Sequence, residues 1–217
     1  PIFNKAIPDG LTALDVINNY IRSVGGKANL KSVNTLVMKA SVTIPGAPFT
    51  PEATMRQKLP NKSSFKIEAN MQGQKMTLSK TTFNGDRGYS EMQGQRVEFD
   101  EKQLDENKKV KGIFEELYFK AEELELISIN SVNYQDAYKV KVTIDGKESH
   151  RYYSVESGLL LSTEDTDDNN NVVTTNYGDY QSVQNIMLPF YMELPAQKLE
   201  FKTTSVEINK EIKDSSF

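Results

Sequence analysis

Apolar and polar side chains alternate strictly from Tyr138 to Ile144. Tyr138, Val140, Val142 and Ile144 fall on one side, and Lys139, Lys141 and Thr143 on the other. A period of two sends successive side chains to opposite faces, so the run predicts a strand with one buried face. Asp145-Gly146 follows, a pair that tolerates the positive φ of a two-residue hairpin. A return strand through Arg151–Val155 stops at Ser157-Gly158, and Leu159 opens a third strand. These three strands form an antiparallel meander, and the rest of the pattern extends it.

Leu36, Met38, Ala40, Val42 and Ile44 alternate in an earlier strand, followed by a loop with Pro45, Pro48 and Pro51 that carries Phe49. Residues 53–59 read as a weak strand turned by Pro60-Asn61. Phe65, Ile67, Ala69 and Met71 alternate in the next, and Met76 and Leu78 share a face in the one after. Asn84-Gly85, Gly88 and Gly94 punctuate shorter strands over 89–93 and near Val97 and Phe99. Strands resume after Leu124. Ile186, Leu188, Phe190, Met192 and Leu194 alternate late, and the last strand runs over 201–208.

Two stretches break the period. Val16, Ile17, Tyr20, Ile21 and Val24 recur at helical spacing behind Thr12, with Asp15 placed for a capping box and Gly25-Gly26 as the stop. This amphipathic helix needs a sheet to lie on. A short turn over 27–31 follows. Residues 100–119 are rich in Glu and Lys and lack proline. They predict helical segments broken near Gly112, with Ile113, Phe114, Leu117 and Tyr118 as a second apolar helix face. Residues 1–11, punctuated by Pro8, Asp9 and Gly10, read as a tether from an upstream region. Pro1 suggests that a leader or another domain has been removed. Residues 12–217 read as one domain.

Composition changes little in this picture. The chain has 217 residues, 37% hydrophobic, with net charge −4. That balance argues against a nucleic-acid binder. With no cysteine there is no disulfide framework, thiolate metal site or thiol nucleophile. His150 is the only histidine, so a two-histidine zinc peptidase motif cannot be built. A Ser-His-acid triad would have to use His150, which falls in a strand without a serine elbow nearby. The Asp165–Asn171 run has oxygen ligands at alternate positions. A calcium loop needs Gly sixth and Glu twelfth, and here those positions hold Asn170 and Asn176. The run therefore reads as a solvated hairpin loop. No cofactor, no metal and no catalytic residue is expected.

One feature points to binding. Met38, Met76 and Met92 each occupy the apolar side of a separate strand. Methionine fills ordinary cores, and it also lines pockets that accept varied apolar shapes. With Phe65, Ile67 and Leu78, these residues form a candidate cavity wall if the sheet curves, lidded by the helices at 12–24 and 100–119.

That arrangement resembles a known one. A helix ending in Gly-Gly, a long meander, a helical insertion and more meander are similar to the bacterial lipoprotein carriers LolA and LolB and to outer-membrane-lipoprotein-sorting-like domains. The resemblance is carried by residues 152–160, by residues 177–190 with their Leu188-Pro189 pair, and by residues 206–217. It implies a mainly β (α+β) fold: one antiparallel meander curved into an unclosed half-barrel, with the N-terminal helix and the insertion against its concave face. It also implies a periplasmic or envelope location and an apolar ligand: a lipid, a lipoprotein acyl chain or an apolar peptide. Residues 7–26 resemble the opening of a domain that follows the catalytic halves of insulinase-type zinc peptidases of Bacteroidetes. This implies an upstream peptidase domain in the same chain, with the zinc motif outside the present sequence. The alternative is a filled-core accessory interaction domain of such a peptidase, without a cavity.

Overall fold

The computed structural model describes residues 5–167 and 169–217; residues 1–4 of the expected tether and Asp168 of the acidic loop lie outside them. Helix α1 (Ala13–Ser23) and the single turn α2 (Lys27–Lys31) come first. Strands β1 (Thr35–Thr43), β2 (Glu52–Lys58), β3 (Lys62–Met71), β4 (Gln74–Phe83), β5 (Gly88–Met92) and β6 (Gln95–Glu98) follow. Helix α3 (Glu101–Lys108) and 3-10 turns at Glu115–Tyr118 and Ala121–Glu123 interrupt the strands. The chain then continues through β7 (Leu124–Val132), β8 (Gln135–Ile144), β9 (Lys147–Ser154), β10 (Leu160–Thr166), β11 (Val172–Val183), β12 (Ile186–Leu194) and β13 (Leu199–Ile208).

The residues form two compact units. One takes the chain up to Asn29 with Glu116–Lys198, and the other takes Leu30–Glu115 with Leu199–Phe217. In the first, β7 to β12 pair in sequence order, each antiparallel to the next. In the second, the order is β6-β5-β4-β3-β2-β1-β13, again antiparallel throughout. Among the described residues β6 and β7 each have a single strand neighbour, so the fold is a mainly β, antiparallel meander not closed into a barrel.

In the first unit the helix and the sheet explain each other. Thr12 Oγ1 accepts from the Asp15 amide at 3.1 Å, and the Asp15 carboxylate accepts from the Thr12 amide at 2.9 Å. This reciprocal box satisfies amides that the first turn would otherwise leave unpaired. The stripe Val16, Ile17, Tyr20, Ile21 and Val24 is buried as the spacing predicts. Tyr20 meets Tyr153 of β9 with ring centroids 5.2 Å apart. Val140 and Val142 are buried with Tyr153, whereas Ile144, at the hairpin end, is exposed. Asp145 and Gly146 take the positive φ that this turn demands. Gly25, at φ +128, must be glycine for a second reason: a Cβ there would stand 2.4 Å from the Asn185 carbonyl oxygen. Beside it, the Met187 amide donates to the Val24 carbonyl and fixes the helix exit to β12.

The insertion differs from its sequence reading. Only Glu101–Lys108 is α-helical, again with a capping box, Asp100 to Gln103, and none of its side chains is buried. Residues 113–118 do not form a second apolar helix face. Ile113 and Phe114 precede a four-residue 3-10 turn in which Glu116 is the buried residue and Tyr118 is exposed. With three residues per turn, the i, i+3, i+4 stripe of an α-helix is not produced.

Candidate apolar binding face

The site residues expected from sequence belong to the second unit, and the strand register shows which of them share a face. Directly opposed residues of an antiparallel pair point the same way. Met38 of β1 opposes Met55 of β2, Met55 opposes Phe65 of β3, and on the other side Met38 opposes Val206 of β13. The neighbouring row runs Ala40, Ala53, Ile67, Ser79 and Met92 through β1 to β5. Met76 opposes Ala69, two residues beyond Ile67. Met38, Phe65, Ile67, Met76 and Met92 therefore share one sheet face.

Leu78 does not follow the simple alternation. The β3–β4 register shifts after Ile67, where Ser79 gives way to Thr77 as the next partner, and Leu78 is passed over as the extra residue of a bulge. Its carbonyl accepts from the Gln93 amide at 3.3 Å. Period two alone therefore does not place Leu78: the register puts Met76 and Ser79 on one face, with Leu78 as the extra residue between their pairs. The physical reason is the unpaired residue, which resets parity along the strand.

The sequence reading missed Met55, Phe201 and Val206. Residues 53–59 offer only Ala53 and Met55 before the polar run Arg56–Lys58, too short an alternation to assign a face. Val206 is out of phase with Phe201 in sequence. A bulge at Thr204, skipped between the Lys39–Ser205 and Ala40–Thr203 pairs, brings Val206 into line. The Phe65 and Phe201 rings lie 6.2 Å apart, within the range of favourable aromatic pairs.

The face grades from core to surface. Leu36, Val42, Ala53, Ala69 and Phe201 are buried, and Met38, Phe65 and Ile67 are half-buried, as is Leu78 at the bulge. Met76 and Met92 are 51% and 66% exposed. The opposite face is charged: Lys66 bridges Glu68 at 2.8 Å, and Lys39 lies 3.9 Å from Glu52. The sheet is amphipathic, and its apolar side offers thioether and aromatic surface without a charged group in the rows just described. Such surface binds by area and shape.

The other chemical candidates have structural uses. His150, in β9, faces Glu164 at 3.6 Å, and its imidazole pKa is lowered by burial and by Lys139. Tyr152 donates to the same Glu164 at 2.8 Å, and Lys139 approaches that carboxylate at 3.8 Å. Arg151 is buried and bonds Asp165 at 2.9 Å, which compensates the charge taken out of water. In the acidic loop, the Asp167 carboxylate accepts from the amides of Asn169 and Asn171 and from the Asn171 side chain. These bonds close the loop on itself, and among the described residues no group of three acidic or histidine side chains is placed to hold a metal.

No family model and no curated protein sequence matches this chain. Solved structures do. A DUF1329 family protein from Desulfovibrio piger superposes with a TM-score of 0.59 at 11% identity, covering 95% of this chain and 98% of that one. A LolA superfamily protein from Nitrosomonas europaea gives 0.58 at 12% identity, over 96% and 98%. A putative outer membrane lipoprotein-sorting protein domain from Vibrio parahaemolyticus gives 0.55 at 10% identity, over 94% and 95%. At these identities the similarity concerns architecture, and it spans nearly the whole of each chain. The chain has a LolA-like fold.

Proposed function

We propose that this chain is a non-catalytic domain of the periplasm or cell envelope that binds an apolar ligand, such as a lipid, a lipoprotein acyl chain or an apolar peptide. The ligand would lie along Met38, Met55, Phe65, Ile67, Met76, Leu78 and Met92. The observation that carries the reading is the shared register of Met38, Met55, Phe65, Ile67, Met76 and Met92 on one face, with Leu78 at the bulge beside them, together with the exposure of Met76 and Met92. Covering exposed apolar side chains contributes about 25 cal/mol per Å² of area removed from water. The flexible thioethers adapt to an acyl chain of unspecified shape. Fold similarity to a LolA superfamily protein and to a lipoprotein-sorting domain supports the same reading. Residues 12–217 act as one functional domain in this proposal, without a metal or cofactor. The run over residues 7–26 supports attachment to an upstream insulinase-type peptidase.

A second reading, a filled-core accessory module of such a peptidase, draws on the fully buried end of the same face at Leu36, Val42 and Ala53. A fluorescent apolar probe separates the two. Saturable binding to the folded chain, displaced by fatty acid, is expected of the carrier. Absence of probe binding at every concentration would support the filled-core module.

A further inference from the structure

The charged side of the second unit's sheet contains a hollow of about 660 Å³ whose chemistry is unlike that of the apolar face. Lys80, Arg87 and Arg96 line it with Glu98, and the Asp86 carboxylate lies 3.9 Å from Arg87 Nε beside it. Its walls also include Tyr89, and Leu104 from α3. By register Lys80 and Arg96 both oppose Glu91, so that carboxylate shares their face and offsets part of their charge.

Two of the cations, Lys80 and Arg96, are held in place by Tyr89. The Arg96 guanidinium lies 3.6 Å from the centre of the Tyr89 ring, and its Nε donates to Glu98 at 2.6 Å. Lys80 Nζ donates to the Tyr89 hydroxyl at 2.7 Å. Arg87 sits on a turn fixed by Asn84, whose side-chain oxygen accepts from the amides of Asp86 and Arg87. A guanidinium held through Nε still carries further donors on its terminal nitrogens, arranged as a planar fork. A lysine committed to one neutral hydroxyl likewise retains donors. Cations ordered in advance lose less entropy when they bind, which favours a compact oxyanion.

We infer that this hollow binds a phosphate-type oxyanion through Lys80, Arg87 and Arg96, with Tyr89 as the platform that orients two of them. The site lies on the opposite face of the ladder from Met76 and Met92 and does not rest on the apolar-ligand reading. A phospholipid headgroup and a free phosphate share the required chemistry, and two probes distinguish them.

The full chain is titrated with inorganic phosphate in chloride buffer by calorimetry. In parallel it is co-sedimented with phosphatidylcholine vesicles, with and without phosphatidylglycerol. Saturable phosphate binding without vesicle retention assigns free phosphate. Retention that requires phosphatidylglycerol assigns the headgroup. In either case Arg96→Gln and Arg87→Gln should each weaken binding about tenfold. Because both side chains are exposed, the melting temperature should stay at the parent value, which separates lost binding from lost folding. Failure of both probes, or binding that survives both substitutions, would overturn the inference.

Discussion

The two units use the same strand pattern with opposite outcomes. In the first, Val140, Val142 and Tyr153 are buried, and helix α1 presents a complete apolar stripe with Tyr20 against Tyr153. In the second, the apolar row continues from buried Ala53 through half-buried Phe65 and Ile67 to exposed Met76 and Met92, and α3 has no buried side chain. Period-two alternation specifies a face that would benefit from cover. Whether that face becomes core or remains available depends on whether the chain also supplies a helix with a matching stripe. Methionine concentrates at the open end of the second face, where adaptability matters more than a fixed packing partner.

The comparison predicts graded effects. The largest belongs to the covered face. Ile17 is fully buried, and Ile17→Asp adds an unpaired charge to lost burial. It should cost roughly 3–5 kcal/mol in denaturant unfolding. A near-neutral value would mean that α1 does not contribute to the fold. Next comes the helix exit. Gly25→Ala places a Cβ against the Asn185 carbonyl at a φ that alanine resists, and should cost about 2 kcal/mol or more by the same measurement. A stabilised variant would show that the backbone relaxes freely there.

On the second unit's apolar face the effects should shrink with exposure. Phe65→Ala, half-buried and beside Phe201, should cost roughly 2–3 kcal/mol. Met92→Gln should stay within about 0.5 kcal/mol of the parent. Equal costs at the two sites would contradict the gradient. The smallest effect concerns Asp214, whose carboxyl is held below its usual pKa by hydrogen bonds from Lys58 and then Lys62. A lowered folded-state pKa contributes stability above the unfolded value and loses it as pH falls through the folded one. Asp214→Asn should therefore lower the melting temperature slightly at neutral pH. The difference should begin to close as pH drops below about 4, where the unfolded carboxylate protonates, and vanish once the pH has passed the lowered folded-state pKa. A difference that persists in acid would place the role of Asp214 elsewhere.

Much of this was legible in the chain. The Thr12–Asp15 box, the stripe of α1, the Asp145-Gly146 turn and the meander are local signals, and local geometry satisfied them. The face of Leu78 and the partners Met55, Phe201 and Val206 were not legible. Bulges at Leu78 and Thr204 change parity without any residue type that announces them. The 113–118 run failed for a different reason. Its apolar residues have helical spacing, but a turn of four residues cannot express it, and Glu116 occupies the buried position. The basic hollow had no sequence signal either, because Lys80, Arg87 and Arg96 come from separate places along β4 to β6 and meet only through strand pairing around Tyr89.

Met76 offers the most direct test of the proposed binding face. Met76→Glu puts a charge on the exposed end of the apolar surface while leaving the buried end untouched. Probe binding and thermal stability are measured together on the parent and the variant. The proposal predicts that the parent binds a fluorescent apolar probe in competition with fatty acid, and that the variant loses this binding while melting within a few degrees of the parent. A parent that binds no probe, together with a variant that unfolds, would contradict the proposal and leave a filled core in its place.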